Sequence, residues 1–307
     1  MTVQINNQQM LALPDSWNEL DTRQLLTLYQ IFFSDVSPEQ QPTILATMRL
    51  QAMQALTGWH DAVLKEMESD MIAEAGGEEE GRHRFAAMLD AAAKDITAPY
   101  IETSASGAAS VRLSLTRNPF PQFSWKHRGR RHSCYGPAGG LANLSIYELC
   151  VAFTLFENYL KRPGHAAADE LIATLYRPPK PATPDNKARS YEGDRRQPYQ
   201  GYEAAVPARK KRIATLAPLV KKVLLFWFAS CRQDIISRYP NLFSQDNRKD
   251  AARVGNDYGW GALLIQLAGG LPQLEAVGRQ SWQNAFTYLS YLEDQRKLAA
   301  MRAAAKR

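Results

Sequence analysis

Three cysteines, five histidines and no apolar run beyond seven residues set the first limits on this chain of 307 residues. Cys134, Cys150 and Cys231 are widely spaced and odd in number, which excludes a disulfide framework and points to reduced, buried thiols. The longest apolar run, Val223–Ala229, falls far short of the roughly 20 residues that span a bilayer, so no membrane partner is expected. Also missing are the GxxxxGK[ST] phosphate loop, the GxGxxG turn, the GxSxG elbow, HExxH and any CxxC pair. No two of His60, His83, His127, His132 and His165 share a helix-face spacing suited to a metal. His132 and Cys134 would share one face of a strand, but without a third member to bind a metal or activate the thiol. These absences predict a non-enzymatic protein with no catalytic residue, cofactor or metal. The opening MTVQINNQQM lacks the basic segment and apolar run of a secretory signal, so the expected location is the cytoplasm.

What is present is mostly helical punctuation. Apolar periodicity predicts helices over Leu25–Phe33, Ile44–Leu56, His60–Glu74, Arg82–Ile96, Ile146–Leu160, Asp169–Tyr176 and Leu216–Ser237. Asp21 with Gln24, and Ser145 with Glu148, have the spacing of capping boxes, and Ser37-Pro38 is a third start signal. Two hairpins are expected, Val3–Leu13 around Asn6-Asn7 and Phe123–Tyr135 around Gly129, and they could pair into one small sheet. Glu78-Glu79-Glu80 reads as a solvated loop, and Thr97–Ser110 as a mobile connection. The richest stretch is Asn256–Leu292. There Asn256 or Asp257 caps a helix bearing Trp260, Leu263, Leu264 and Leu267. Gly269, Gly270 and Pro272 end it, and a second stripe runs through Trp282, Phe286, Leu289 and Leu292.

The fold class that follows is α+β, predominantly α-helical, with three regions. Residues 1–176 form a hairpin-and-helix region, 177–212 a basic proline-rich linker or strap, and 213–307 a C-terminal helical domain. The first region contains a candidate internal duplication, Trp17-Asn18-Glu19-Leu20-Asp21 against Leu141-Ala142-Asn143-Leu144-Ser145. Charge singles out the strap: it holds ten Lys/Arg against four Asp/Glu, and its excess equals the net +6 of the whole chain. Arg209, Lys210, Lys211 and Arg212, together with the turn Lys126–Arg131, could touch phosphates or an acidic partner, with Trp125, Tyr199 and Tyr202 available to stack on bases. Nucleic-acid binding through this linker is therefore one reading, and solvated charge is the plainer one.

Four short stretches carry a family resemblance: Pro14-Asp15-Ser16-Trp17-Asn18-Glu19-Leu20, Tyr135-Gly136-Pro137 leading to Leu144, Leu171–Pro178, and Asp257-Tyr258-Gly259-Trp260. Together they resemble uncharacterised proteins from prophage and tail-gene regions of Bacteroidetes-type bacteria, and the C-terminal Trp-plus-helix pair resembles phage tail assembly chaperone-like proteins. The resemblance implies an assembly protein that binds a helical partner such as a tape-measure protein, or other tail or tube proteins. A structural tail or baseplate adaptor retained in the virion fits the same context. It transfers no catalytic residue. A groove that accepts apolar helix faces would be built from Trp227, Phe228, Trp260, Trp282 and Phe286; the alternative for each ring is a place in the core.

Overall fold

The computed structural model describes residues 2–5, 9–33, 41–104, 109–127, 129–181, 183, 194–199, 201, 203–243 and 260–305. The Asn6-Asn7 turn, the Ser37-Pro38 start signal, Tyr202 and the caps Asn256 and Asp257 lie outside them. The fold is predominantly helical with small antiparallel hairpins, as expected. The chain forms two compact units, Met1–Leu115 and Thr116–Arg307. Both expected boundaries, at 176 and at 212, thus fall inside the second unit.

The first unit runs β1 (Thr2–Ile5), β2 (Gln9–Ala12), α1 (Thr22–Phe32), α2 (Gln41–Thr57), α3 (Asp61–Ala75), α4 (Glu78–Thr97), β3 (Ile101–Thr103) and β4 (Ala109–Val111). The capping box at α1 forms: Asp21 Oδ1 accepts from the Gln24 amide at 2.8 Å, and Gln24 Oε1 accepts from the Asp21 amide at 3.1 Å. Trp17, fully buried, meets Phe32 and Tyr100 edge to face, with centroids 6.2 and 5.3 Å apart. Burying such a ring stabilises the unit by about 1.5–3 kcal/mol. The Tyr100 hydroxyl is satisfied by donating to the Pro14 carbonyl at 2.8 Å.

Two expectations in this unit are corrected. Glu78-Glu79-Glu80 is the first turn of α4, where carboxylates complement the positive helix end and Glu78 and Glu80 pair with Arg82 and Arg84 at 2.7 Å. The stretch from Thr97 contains a hairpin, β3 with β4, in register Ile101↔Val111. Its short strands follow an Ala/Ser/Thr/Gly composition, which gives no alternation for the eye to find.

The second unit runs β5 (Gln122–His127), β6 (Arg130–Tyr135), α5 (Ile146–Lys161), α6 (His165–Leu175), α7 (Val206–Ile213), α8 (Pro218–Arg238), α9 (Gly261–Ala268), α10 (Leu274–Gly278) and α11 (Trp282–Ala305). The β1–β2, β3–β4 and β5–β6 hairpins are three separate two-stranded sheets, so the two expected hairpins do not merge. α5 is the centre of this unit's core. Phe153 and Phe156 pack on Phe228 of α8 at 5.9 and 5.2 Å, and α6, α9, α10 and α11 also pack on α5. Gly269 closes α9 in the left-handed conformation, φ +61°, which glycine adopts without steric cost.

The proposed repeat has a counterpart in local structure. In each unit two fully or almost fully buried residues three apart, Trp17 and Leu20 or Leu141 and Leu144, lead into a capped helix.

The strap is the main correction. Among its described residues it is not a solvated linker throughout: Arg177 and Arg196 are each 1% exposed, and 206–213 is a helix. Of its described basic residues, Arg177, Arg196 and Arg209 are buried, Lys180, Lys210 and Arg212 half-buried, and Arg195 and Lys211 exposed.

Candidate functional site: a cleft above a buried charge cluster

The start of α5 fixes the first group. Ser145 caps the helix, its Oγ accepting from the Glu148 amide at 3.2 Å, and Glu148 Oε2 returns toward the Ser145 amide at 3.4 Å. That leaves Glu148 Oε1 pointing at the strap. It accepts from Arg177 Nη1 at 2.5 Å and from the Tyr199 amide at 3.2 Å.

Arg177 is placed by the end of α6. Pro178 and Pro179 cannot continue a helix, so the chain leaves extended. Tyr135 and Arg177 exchange backbone hydrogen bonds of 2.8 and 3.0 Å, an antiparallel bridge beside β6. The strap then folds on itself: Lys180 donates to the Arg195 carbonyl at 2.7 Å and Gln197 to that of Pro178 at 2.9 Å. This return brings Arg196 inward. Its Nε and Nη2 donate to Asp194 at 2.8 and 2.9 Å, Nη1 to the Leu175 carbonyl at 3.0 Å, and Nη2 also to the Asn143 carbonyl at 3.2 Å. Glu148 Oε2 lies 3.7 Å from Arg196, and Asp194 Oδ2 lies 3.7 Å from Arg177.

Arg209 of α7 adds a third guanidinium, donating from Nε to the Ala173 carbonyl at 2.9 Å. The cluster thus holds three cations against two carboxylates. Burial, and secondly the Arg196 charge, push Arg177 below the usual arginine value, with Glu148 and Asp194 opposing. Burial likewise lowers Arg209, with Arg177 adding to the shift. An arginine stays protonated under any ordinary condition, so these shifts measure crowding of positive charge and not its loss. Arg177 Nε and Nη2 and Arg209 Nη2 are buried without a hydrogen-bond partner among the described residues.

Above the cluster opens a cavity of about 520 Å³, lined by Asn143, Ser145, Glu148, Lys180, Asp194, Arg196, Arg279 and Ser281 among others. Both lining carboxylates are engaged as described. The Lys180 ammonium makes no ion pair among the described residues, and Arg279 pairs only with the exposed Glu275. No group of metal-ligating side chains occurs among the described residues.

The sequence-predicted partner residues lie elsewhere. Trp227, Phe228, Trp282 and Phe286 are 0–2% exposed. Trp227 Nε1 donates to the Thr116 carbonyl at 3.1 Å, and Trp282 Nε1 to that of Leu141 at 2.9 Å. Rings so enclosed offer no surface to a partner, and the expected groove is corrected to core. Trp260 is half-buried, packs edge-on against Phe153 at 4.8 Å and donates to Glu157 at 3.1 Å. The basic run is divided by helical geometry. Arg209 points inward, Lys210 pairs with Glu170 at 2.9 Å, Lys211 is exposed and Arg212 half-buried. Trp125 stacks on His132 at 6.3 Å, while Cys134, two residues along, is 2% exposed. Burial raises the Cys134 thiol to about 11, the opposite of an activated nucleophile.

None of the predicted residues lines the cleft. Its sequence signal was nonetheless there: Arg177-Pro178-Pro179 and Arg196-Gln197-Pro198 are arginines held by prolines, opposite a glutamate whose position a capping box fixes.

No protein-family model, curated protein or solved structure matches the chain. What the fold defines is a predominantly helical α+β protein, and among the described residues no helix is long and apolar enough to cross a membrane.

Proposed function

We propose that this chain is a non-enzymatic assembly protein of the phage tail assembly chaperone-like kind, binding a helical segment of another tail protein, such as a tape-measure protein. One observation carries the binding part of that reading: α11 outruns its core. Trp282, Ala285, Phe286 and Leu289 are buried at helical spacing, whereas every residue from Asp294 to Ala304 is exposed. The outer surface of α11 carries Tyr288, Tyr291, Leu298 and Met301, which are 39–68% exposed. From Tyr288 to Met301 the helix rises about 20 Å, enough for several turns of a partner helix. Charges on this stretch run from Glu293 and Asp294 to Arg296 and Lys297, with Arg302 just past Met301. A partner helix of opposite charge order would pair with both ends. The phage context rests on the resemblance at residues 14–20, 135–144, 171–178 and 257–260.

Co-expression with a tape-measure product from neighbouring genes is the test. A soluble complex that Leu298→Asp with Met301→Asp abolishes supports the proposal. An unchanged yield of soluble tape-measure protein and no isolable complex would remove it, and a complex found only in finished particles would make the chain a tail or baseplate adaptor.

A further inference from the structure

We infer that, in the absence of another partner, the chain pairs with a second copy of itself through the outer face of α11, the two helices running antiparallel about a two-fold axis at Leu298. The exposed stretch from Asp294 to Ala304 is almost half of this 24-residue helix. Alone in water a helical stretch of that length is marginal, and an apolar surface on it gains by being covered. Tyr291 and Leu298, seven residues and so nearly two turns apart, lie on one line along the helix, with Met301 beside it.

The charges select the occupant. Asp294 and Arg302 stand four residues before and four after Leu298, so they flank that line on opposite sides of the leucine. Neither makes an ion pair among the described residues: Asp294 Oδ1 accepts from the neutral Asn241 Nδ2 at 3.1 Å, and Arg302 is exposed. Glu293, by contrast, is answered within α11 by Arg296 at 3.7 Å. An antiparallel copy centred on Leu298 sets Asp294 of each chain against Arg302 of the other, twice by symmetry, and Leu298 against Leu298. Tyr291 then meets the other copy's last turn, where the sequence is mostly alanine and leaves room for a ring. A parallel copy would oppose Asp294 to Asp294 and Arg302 to Arg302, which like-charge repulsion disfavours. A patch that complements itself under a two-fold axis is what a closed dimer requires. The face is about 20 Å long on a helix about 10 Å across, below the size of a standard interface, so the dimer is weak and reversible. It shares its face with the proposed function but requires no tail protein; self-pairing covers the face until a partner helix displaces it.

The test is sedimentation equilibrium of the full chain alone, across micromolar concentrations. A monomer–dimer equilibrium is expected, and Leu298→Asp should abolish it. Asp294→Arg or Arg302→Asp alone places like charges at both symmetric contacts and should weaken the dimer by about tenfold. The two substitutions combined in one chain restore opposite charges only in the antiparallel arrangement, and should recover the dimer. Circular dichroism checks that each variant, all at exposed positions, is folded. A chain that stays monomeric overturns the inference. So does a dimer that survives Leu298→Asp, or one that the combined charge exchange fails to restore. Because no tape-measure protein is present, a monomer here leaves the proposed function standing, and a failed co-expression leaves the dimer standing.

Discussion

Glu148 Oε1 accepts from Arg177 Nη1 at 2.5 Å where the arginine is 1% exposed, and the carboxylate that makes this contact also serves the capping box of α5. One side chain therefore ties a helix start to the strap. Removing a partner from a buried pair leaves an uncompensated charge, so Glu148→Ala should destabilise the chain by about 3–5 kcal/mol. Urea denaturation measures it. Glu148→Gln, which keeps an acceptor for the cap, should cost less than Glu148→Ala; an equal cost would show that the charge and not the cap matters.

The three cysteines are all free and buried. In the native chain at neutral pH a disulfide-exchange reagent should label none of them promptly, and in denaturant all three. Prompt labelling of Cys134 would contradict the burial seen beside β5.

Burial raises the thiols of Cys134 and Cys150 to about 11 and about 12, above the ordinary thiol value near pH 9. A folded-state pKa above the unfolded one means the folded chain holds its proton longer, so this contribution is fully present below pH 9 and is lost as pH rises through the folded values. Stability should fall between about pH 9 and 12 in step with these shifts. Cys150→Ala should flatten part of that decline when unfolding is followed against pH.

Gly136 is a site of close approach. A Cβ there would lie 2.5 Å from Asn118 Nδ2 and 2.6 Å from the Tyr176 ring, in a corner where Tyr176 donates to the Phe120 carbonyl at 2.8 Å. Gly136→Ala should cost about 1–3 kcal/mol through overpacking. A shift in thermal midpoint reports it, and Gly164→Ala, with open space at its Cβ, is the control.

Among the tryptophans, Trp282 and not Trp260 should be the costly one. Trp282 is 2% exposed and hydrogen-bonded, so Trp282→Ala should remove about 3–5 kcal/mol. Trp260→Ala should cost less, since its ring is half-buried. Leu298→Asp and Met301→Asp should change stability by no more than about 0.5 kcal/mol, because both are exposed surface positions. Denaturant midpoints rank all four.

The sequence by itself determined most of the helices, though not α7 within the strap or the short α10, both capping boxes and two of the three hairpins, because each is written in local spacing: an acceptor three residues before its amide, apolar groups every three or four positions. Local spacing misled where it was silent about neighbours. Glu78–Glu80 has no apolar period, yet it opens a helix because carboxylates suit that end. Residues 101–111 alternate too weakly to announce a strand. Only tertiary structure decided which face each aromatic ring would spend on the core, and so removed Trp227, Phe228, Trp282 and Phe286 from any partner surface. It also decided the fate of the basic strap. Arg177, Arg196 and Arg209 lie far apart in the sequence as surplus charge, and they become a cluster because the chain returns on itself beside Glu148, where burial makes each pairing consequential. Charge can be counted from a sequence, but whether water or a carboxylate answers it depends on which distant segments the fold brings together.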